Sequence, residues 1–284
     1  MQITKVRFIP LLILLVIVLT ACNDDADEKE SATATEDQEE TNMEPTEEKP
    51  SEQENEAEDE KDKEEVVRAT YEVNENWFVQ PKDGEKEPED VVLITIDDAP
   101  DEHAVEMAEK LDKMDVPAIF FVNGHFLKSD ADKERLKKID DLGFSIGNHT
   151  MTHPDLTTIS EEEQKEEILG VNELVEDIIG KKPKYFRAPY GSNTDYTKKL
   201  AKEEDMLLMN WVYGYDWDAE YQEAEALADI MVNTELLDNG AILLMHDRDW
   251  TNEALEDIVT GLQDKGYDML DPEQIITEND KNNE

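Results

Sequence analysis

Phe144-Ser145-Ile146-Gly147-Asn148-His149-Thr150-Met151-Thr152-His153-Pro154 sets two histidines four residues apart behind a short apolar run. On a helix that spacing would put both imidazoles on one face. Here Gly147 precedes the pair and Pro154 pushes His153 away from the α region, so no helix runs through it. The stretch therefore reads as a strand ending in a loop that presents both imidazoles. Upstream, a second apolar run, Val91 to Ile96, ends in Asp97-Asp98. Two carboxylates and two imidazoles at strand ends suit a metal site with an acid/base partner. Two surface histidines beside a turn-forming aspartate pair are the other reading, and the histidine spacing alone does not separate them.

Outward from these runs the pattern repeats. Short apolar stretches recur at Val91–Ile96, Pro117–Val122, Phe144–Ile146, Tyr185–Ala188, Leu207–Tyr213, Ala241–Met245 and Tyr267–Leu270. Between them lie helical patterns. Met107, Leu111 and Met114 fall at i, i+4, i+7, and Ile168, Val171, Val175 and Ile178 mark one face. The second of these opens with Ser160-x-x-Glu163, a capping box, and stops at Gly180 with Pro183 beyond. About seven strands alternating with helices predict parallel βαβ units, and their number suits a barrel. In such a barrel the chemistry sits at the C-terminal strand ends. The polar clusters fall there: Asp97-Asp98, Asn123-Gly124-His125, Asn148-His149, Arg187 to Gly191, Asp216-Trp217 and His246-Asp247. Of the five histidines, His125, His149, His153 and His246 come at or just after a strand end, which favours the metal-site reading. Trp77, Tyr71 and Phe78 precede the barrel and are expected to pack on its outside.

The first residues predict an address rather than fold. Lys5 and Arg7 form a basic start, and Phe8 to Leu19 is apolar apart from Pro10. That run is short for a membrane span and has the form of a signal segment. It ends Leu19-Thr20-Ala21-Cys22, which resembles a bacterial lipobox. Residues 1–22 are therefore expected to be a lipoprotein signal peptide, with Cys22 lipidated and the protein anchored to the outer side of a bacterial cell membrane. Cys22 is the only cysteine in the chain, so an intrachain disulfide is excluded.

Residues 23–65 hold 21 acidic side chains against four lysines, a net of −17, with only four alanines and Met43 as apolar groups. Composition of this kind buries too little to offset ordering entropy, so a disordered linker is expected. As a flexible coil it would span roughly 35–40 Å. Of the chain's net −47, that segment carries −17 and the leader +2, which leaves −32 on residues 66–284. A nucleic-acid partner needs a basic footprint and is excluded. A monomer is expected.

Five blocks together resemble the polysaccharide deacetylases, the NodB-homology family of carbohydrate esterases: Thr95-Ile96-Asp97-Asp98-Ala99-Pro100; His149 to Pro154; Arg187-Ala188-Pro189-Tyr190-Gly191; Trp211 with Asp216-Trp217; and Leu243-Leu244-Met245-His246. The likeness runs from about residue 90 to about 271 within an expected domain of 66–284. It implies an α/β fold, a deformed (β/α) barrel of about seven parallel strands. By resemblance Asp98, His149 and His153 bind a divalent metal, zinc or else Co, Mn, Fe or Ni, all of which accept such ligands. Asp97 would be the general base, paired with Arg187, and His246 the general acid, supported by Asp216. Tyr190 would offer its backbone N–H to the oxyanion, and Trp217 and Leu244 would wall the acetyl-methyl pocket. Ile96 and Ala99 depart from the usual Phe and Gly of the first block. His103 and His125 match no ligand position, and Trp250 is a candidate wall of a sugar cleft.

The resemblance implies hydrolysis of N-acetyl groups on a cell-wall polysaccharide, with peptidoglycan N-acetylglucosamine as the expected substrate because an outward-facing, lipid-tethered bacterial enzyme meets it first. Chitin-type oligomers and O-acetylated xylan are alternatives. A non-catalytic wall-binding lipoprotein on the same fold is the reading from another class.

Overall fold

A computed structural model describes residues 67–283. The expected leader at 1–22, the lipidated Cys22, the acidic segment 23–65 and residue 66 lie outside the described residues. Among the described residues no helix is long and apolar enough to cross a membrane.

Two short antiparallel strands, β1 (Tyr71–Val73) and β2 (Val79–Pro81), come first. Then strands and helices alternate: β3 (Val91–Ala99), α1 (Ala104–Lys113), β4 (Ile119–Val122), α2 (Asp130–Asp141), β5 (Ser145–Asn148), α3 (Glu161–Ile179), β6 (Tyr185–Phe186), α4 (Asp195–Glu203), β7 (Leu207–Leu208), α5 (Ala224–Asn233), β8 (Ala241–His246), α6 (Asp249–Asp264) and β9 (Asp268–Met269). The seven strands from β3 onward form one parallel sheet, in the order β7-β6-β5-β4-β3-β8, with β9 paired to the start of β3. Only two residues of the run Leu207–Tyr213 pair as β7. The rest crosses toward the other edge, where Tyr213 bridges Leu243 in parallel. That crossing curls the sheet into the expected deformed barrel.

Parallel strands covered on both faces must be apolar on both. Along β3 and β4, Val92, Ile94, Ile96, Phe120 and Val122 pack outward against α1, α2, α5 and α6. Leu93, Ile119 and Phe121 point the other way and meet Tyr185, Met209 and Ile242 inside the curve. The period-2 alternation is thus intact although neither face is polar. Tyr71 departs from its expected place outside the barrel. It belongs to the inner cluster with Val79, Leu270 and Ile275, and its hydroxyl donates to Pro88 O at 2.9 Å. The β1–β2 hairpin therefore plugs the N-terminal end of the barrel, with Val79 N–H bonded to Gly240 O. A side chain at Gly240 (φ +80°) would put Cβ 1.9 Å from Val79 O, so only glycine lets the hairpin dock this closely.

Helix α3 ends as its sequence predicts. Ser160 and Glu163 form the reciprocal capping box, and Gly180 closes the helix in the left-handed region. Ile168, Val171 and Val175 are fully buried.

Candidate active site

The C-terminal end of β3 departs from regular pairing. Ile96 faces Phe120 and Ala99 faces Val122, so β3 carries one extra residue there, and Asp98 adopts φ +62°. Regular alternation would send Asp97 and Asp98 to opposite faces. The bulge and its left-handed residue turn both carboxylates into one cleft.

Asp97 is buried, and its Oδ1 accepts from Arg187 Nη1 at 2.7 Å. Arg187, entirely buried just after β6, also donates to Thr95 Oγ1 (2.7 Å) and to Asn210 O (2.9 Å). Its guanidinium lies 4.2 Å from the centre of the Phe121 ring, which forms the floor. This charge is out of water but paired, bonded and stacked, the conditions under which a buried ion is tolerated.

His149 follows β5 directly. Its Nδ1 sits 2.8 Å from Arg187 O; a carbonyl only accepts, so Nδ1 carries the proton and Nε2 offers a lone pair to the cleft. Burial, the largest influence on this imidazole, lowers its pKa against the pull of Asp97 and Asp98 and keeps it neutral, as a metal ligand must be. Thr150 (φ +71°) and His153 (φ +60°) bend the loop back over α3, where Glu167 accepts from Thr152 N at 2.7 Å. The two imidazole rings stand 5.0 Å apart, and His153 Nε2 lies 3.7 Å from Asp98 Oδ1. Ligand atoms of Asp98, His149 and His153 all lie within 4.8 Å of one another. One carboxylate and two imidazoles at that spacing fit a divalent cation and leave coordination positions open. Burial pushes the Asp98 carboxyl up, but His149, His246, His153 and Arg248 outweigh it and hold it below the ordinary range.

His246 closes β8 on the other side. Asp216 accepts its Nδ1–H at 2.7 Å with Oδ1, and its backbone N–H at 2.6 Å with Oδ2. Thr251 Oγ1 adds a bond to Oδ2 at 2.8 Å. Burial lowers the His246 pKa; the hydrogen bond and charge of Asp216, with Asp97 and Asp98 behind, outweigh it and raise it.

Asp97, Asp98, His149, His153 and His246 line one cleft of about 500 Å³ with Tyr190, Trp211, Trp217, Leu244 and Arg248, and Arg187 and Asp216 stand buried behind it. Tyr190 (φ +59°) is 67% exposed and sets its ring edge against His153 at 4.9 Å. Trp217, 52% exposed, meets His246 edge-on at 5.7 Å. Of the seven non-glycine residues with positive φ among the described residues, Asp98, Thr150, His153 and Tyr190 belong to this site. Strain of that kind persists only where the surroundings enforce it.

All ten protein residues expected at the site, from Asp97 to His246, therefore meet or support this cleft. Trp250 does not wall it: its indole N–H donates to Asp216 O at 2.8 Å, behind the His246 pair. His103 pairs with Asp249 at 2.7 Å, and His125 stacks on Phe126 away from the cleft. Sequence reasoning missed Arg248, which donates to Asp98 Oδ2, and the support from Thr251. It also missed the role of Asp247, whose carboxylate accepts from the N–H groups of Asp101, His103 and Ala104. The signal was adjacency: all three closely follow His246.

A family model described as polysaccharide deacetylase matches residues 84–208. Three Bacillus relatives are similar over most of the folded part. The uncharacterized protein YlxY of Bacillus subtilis is 33% identical, over 62% of this chain and 54% of its own length. The peptidoglycan-N-acetylmuramic acid deacetylase PdaA of Bacillus subtilis is 32% identical, over 67% of this chain and 73% of its own length. A peptidoglycan-N-acetylglucosamine deacetylase of Bacillus cereus is 30% identical, over 62% of this chain and 64% of its own length. Among solved structures, a mutant CE4 family pseudoenzyme with restored enzymatic activity superposes with a TM-score of 0.59 at 31% identity, covering 66% of this chain and 69% of that one.

Proposed function

The chain belongs to the polysaccharide deacetylase family, and from that premise we propose that it hydrolyses N-acetyl groups of amino sugars in peptidoglycan, with N-acetylglucosamine as the reacting sugar. The observation that carries this reading is the convergence of three groups on one cleft: the Asp98/His149/His153 cluster, the Arg187–Asp97 pair and the Asp216–His246 pair.

Asp98, His149 and His153 would hold a divalent cation, zinc by first choice. Bound there, it supplies Lewis-acid polarisation of the acetyl carbonyl and acidifies water. Asp97, held by Arg187, takes a proton from the attacking water. The Tyr190 N–H faces the developing oxyanion; losing one such donor typically costs ~100–1,000-fold in rate. An amide nitrogen leaves badly as an anion, so the His246 imidazolium, oriented through Nδ1 by Asp216, delivers a proton to it from Nε2. Trp217 and Leu244 wall the space for the acetyl methyl. We further propose the address: a lipid on Cys22 anchors the protein outside a bacterial cell, with residues 23–65 as the tether.

Because one similar fold is described as a pseudoenzyme, catalysis itself is what the experiment must read. Purified protein, with metal supplied, is given peptidoglycan oligomers, chito-oligomers and acetylated xylan at equal acetyl concentration. Acetate from the N-acetyl glycans, fastest from peptidoglycan chains, supports the proposal. Acetate from xylan alone defeats the amidase reading, and none from any substrate defeats the enzyme.

A further inference from the structure

Arg248 stands at the junction of β8 and α6, and the proton chemistry above makes no use of it. Its Nη2 donates to Asp98 Oδ2 at 2.8 Å, and its Nη1 donates to Asp247 O at 3.0 Å. Asp98 thus divides its oxygens. Oδ2 takes the guanidinium, while Oδ1 lies on the histidine side, 3.7 Å from His153 Nε2. The support behind Arg248 is itself fixed. The Asp247 carboxylate accepts three N–H groups of the β3–α1 segment, and Asp247 N donates to Asp97 O at 3.1 Å. The guanidinium and the carboxylate it grips are therefore tied to the same piece of backbone.

We propose that Arg248 is a positioning residue. It holds the carboxylate of Asp98, on a bulged residue with left-handed backbone, so that Oδ1 faces His149 and His153, and it thereby sets the affinity of the three-ligand site for a divalent cation. Partners that orient metal ligands typically change affinity or activity by ~10–100-fold when removed. The proposal rests on the assignment of Asp98, His149 and His153 as the ligands.

A cation beside a metal site also repels the metal, so removing Arg248 has two effects of opposite sign. Lost orientation weakens binding, whereas lost repulsion tightens it. The Arg248 side chain is 37% exposed, so solvent and salt screen its charge, but they do not replace its fork. Orientation therefore outweighs repulsion, and the direction of the change identifies the cause.

The experiment compares wild type, Arg248→Ala and Arg248→Lys as full chains. Zinc and cobalt affinities are read by competition with a chromophoric chelator, the cobalt visible spectrum reports ligand geometry, and melting is followed on metal-free protein. For Arg248→Ala the expected result is ~10–100-fold weaker binding of both cations. An altered cobalt spectrum, near wild-type melting without metal, and turnover that recovers as metal is added should accompany it. Arg248→Lys should recover only part of the affinity, because an ammonium cannot span Asp98 Oδ2 and Asp247 O as a planar fork does. If Arg248→Ala fails to fold, the lysine variant carries the test by the same measure. Unchanged or tighter binding overturns the proposal, as does a loss confined to KM, the sign of a substrate contact. Wild-type protein that binds neither cation would overturn the ligand assignment as well, a distinguishable outcome.

Discussion

His246 is held at its ring nitrogen and at its backbone by one carboxylate, Asp216, which with Asp97 and Asp98 raises its pKa against the lowering effect of burial. In the proposed role of general acid it must be protonated, so turnover should fall as pH rises through its raised pKa. Asp216→Asn removes the charge and should move that alkaline limb to lower pH; a limb that stays in place would unlink the pair from the rate. Stability follows the same sign. A histidine whose folded pKa is raised contributes stability below its unfolded value of about 6.5 and loses it as pH rises through the folded value. Asp216→Asn should therefore cost more stability at pH 6 than at pH 9 in denaturant titrations. The two bulged aspartates make a second pair of predictions. Asp97→Asn should retain metal and lose ~100–10,000-fold in turnover, the usual worth of a positioned proton carrier. Asp98→Asn should lose metal, and metal analysis showing the reverse pattern would exchange their roles. Both aspartates were legible in the sequence as strand-end residues, but their common direction was not, because a single extra residue in β3 against β4 leaves no compositional trace. For Arg248 the sequence offered only its place two residues after His246, because its contact with Asp98 spans 150 residues.

At the level of elements, the site rests on a direct pairing between two strands. Phe121 of β4 is the register partner of Gly147 of β5, and the Phe121 ring lies beneath Arg187. A Cβ at Gly147 would fall 2.4 Å from Phe121 Cδ1, so glycine is what allows the aromatic floor to lie flat under the guanidinium. Gly147→Ala should force the ring aside at a cost of about 1–3 kcal/mol, the usual penalty for overpacking a filled core. It should also lower turnover by disturbing Arg187 and Asp97, although residue 147 touches no substrate. Unchanged stability in urea titrations would mean the interior has more slack than its packing indicates. Most elements could be read beforehand because parallel strands are apolar on both faces and α3 announces both its ends. Leu207–Tyr213 could not be read as two pieces, since an apolar run looks the same whether it pairs with one neighbour or crosses between two. The burial of Tyr71 inside the barrel was hidden for a similar reason: hydrophobicity shows that a ring is covered, not by which side of a sheet.

Beyond the leader, which carries +2, the charge is acidic on both remaining parts, with −17 on residues 23–65 and −32 on residues 66–284, for a total of −47. The proposed deacetylation would leave a free amine that protonates, so the glycan would gain positive charge, and a protein of this sign would not be repelled by that product. The proposed tether follows from composition: 43 residues with four alanines and Met43 as their apolar groups have almost nothing to bury. Deleting residues 24–64 should therefore leave the melting temperature of the rest nearly unchanged, and acetate release from soluble oligomers with it. The deletion should be felt only when the protein is anchored, because a coil of that length reaches roughly 35–40 Å and its loss confines the cleft to glycan at the membrane surface. Combining the deletion with Cys22→Ala, which removes the proposed lipid site, should restore access to intact wall by freeing the protein from the membrane. Three measurements decide it: lipid labelling of wild type against Cys22→Ala, melting of the deletion, and deacetylation of intact wall by the single and double variants. Equal labelling would remove the anchor, and a large drop in melting temperature would mean that the acidic segment packs. A deletion that is equally slow on wall with and without Cys22 would show that the segment acts on the enzyme rather than on its reach.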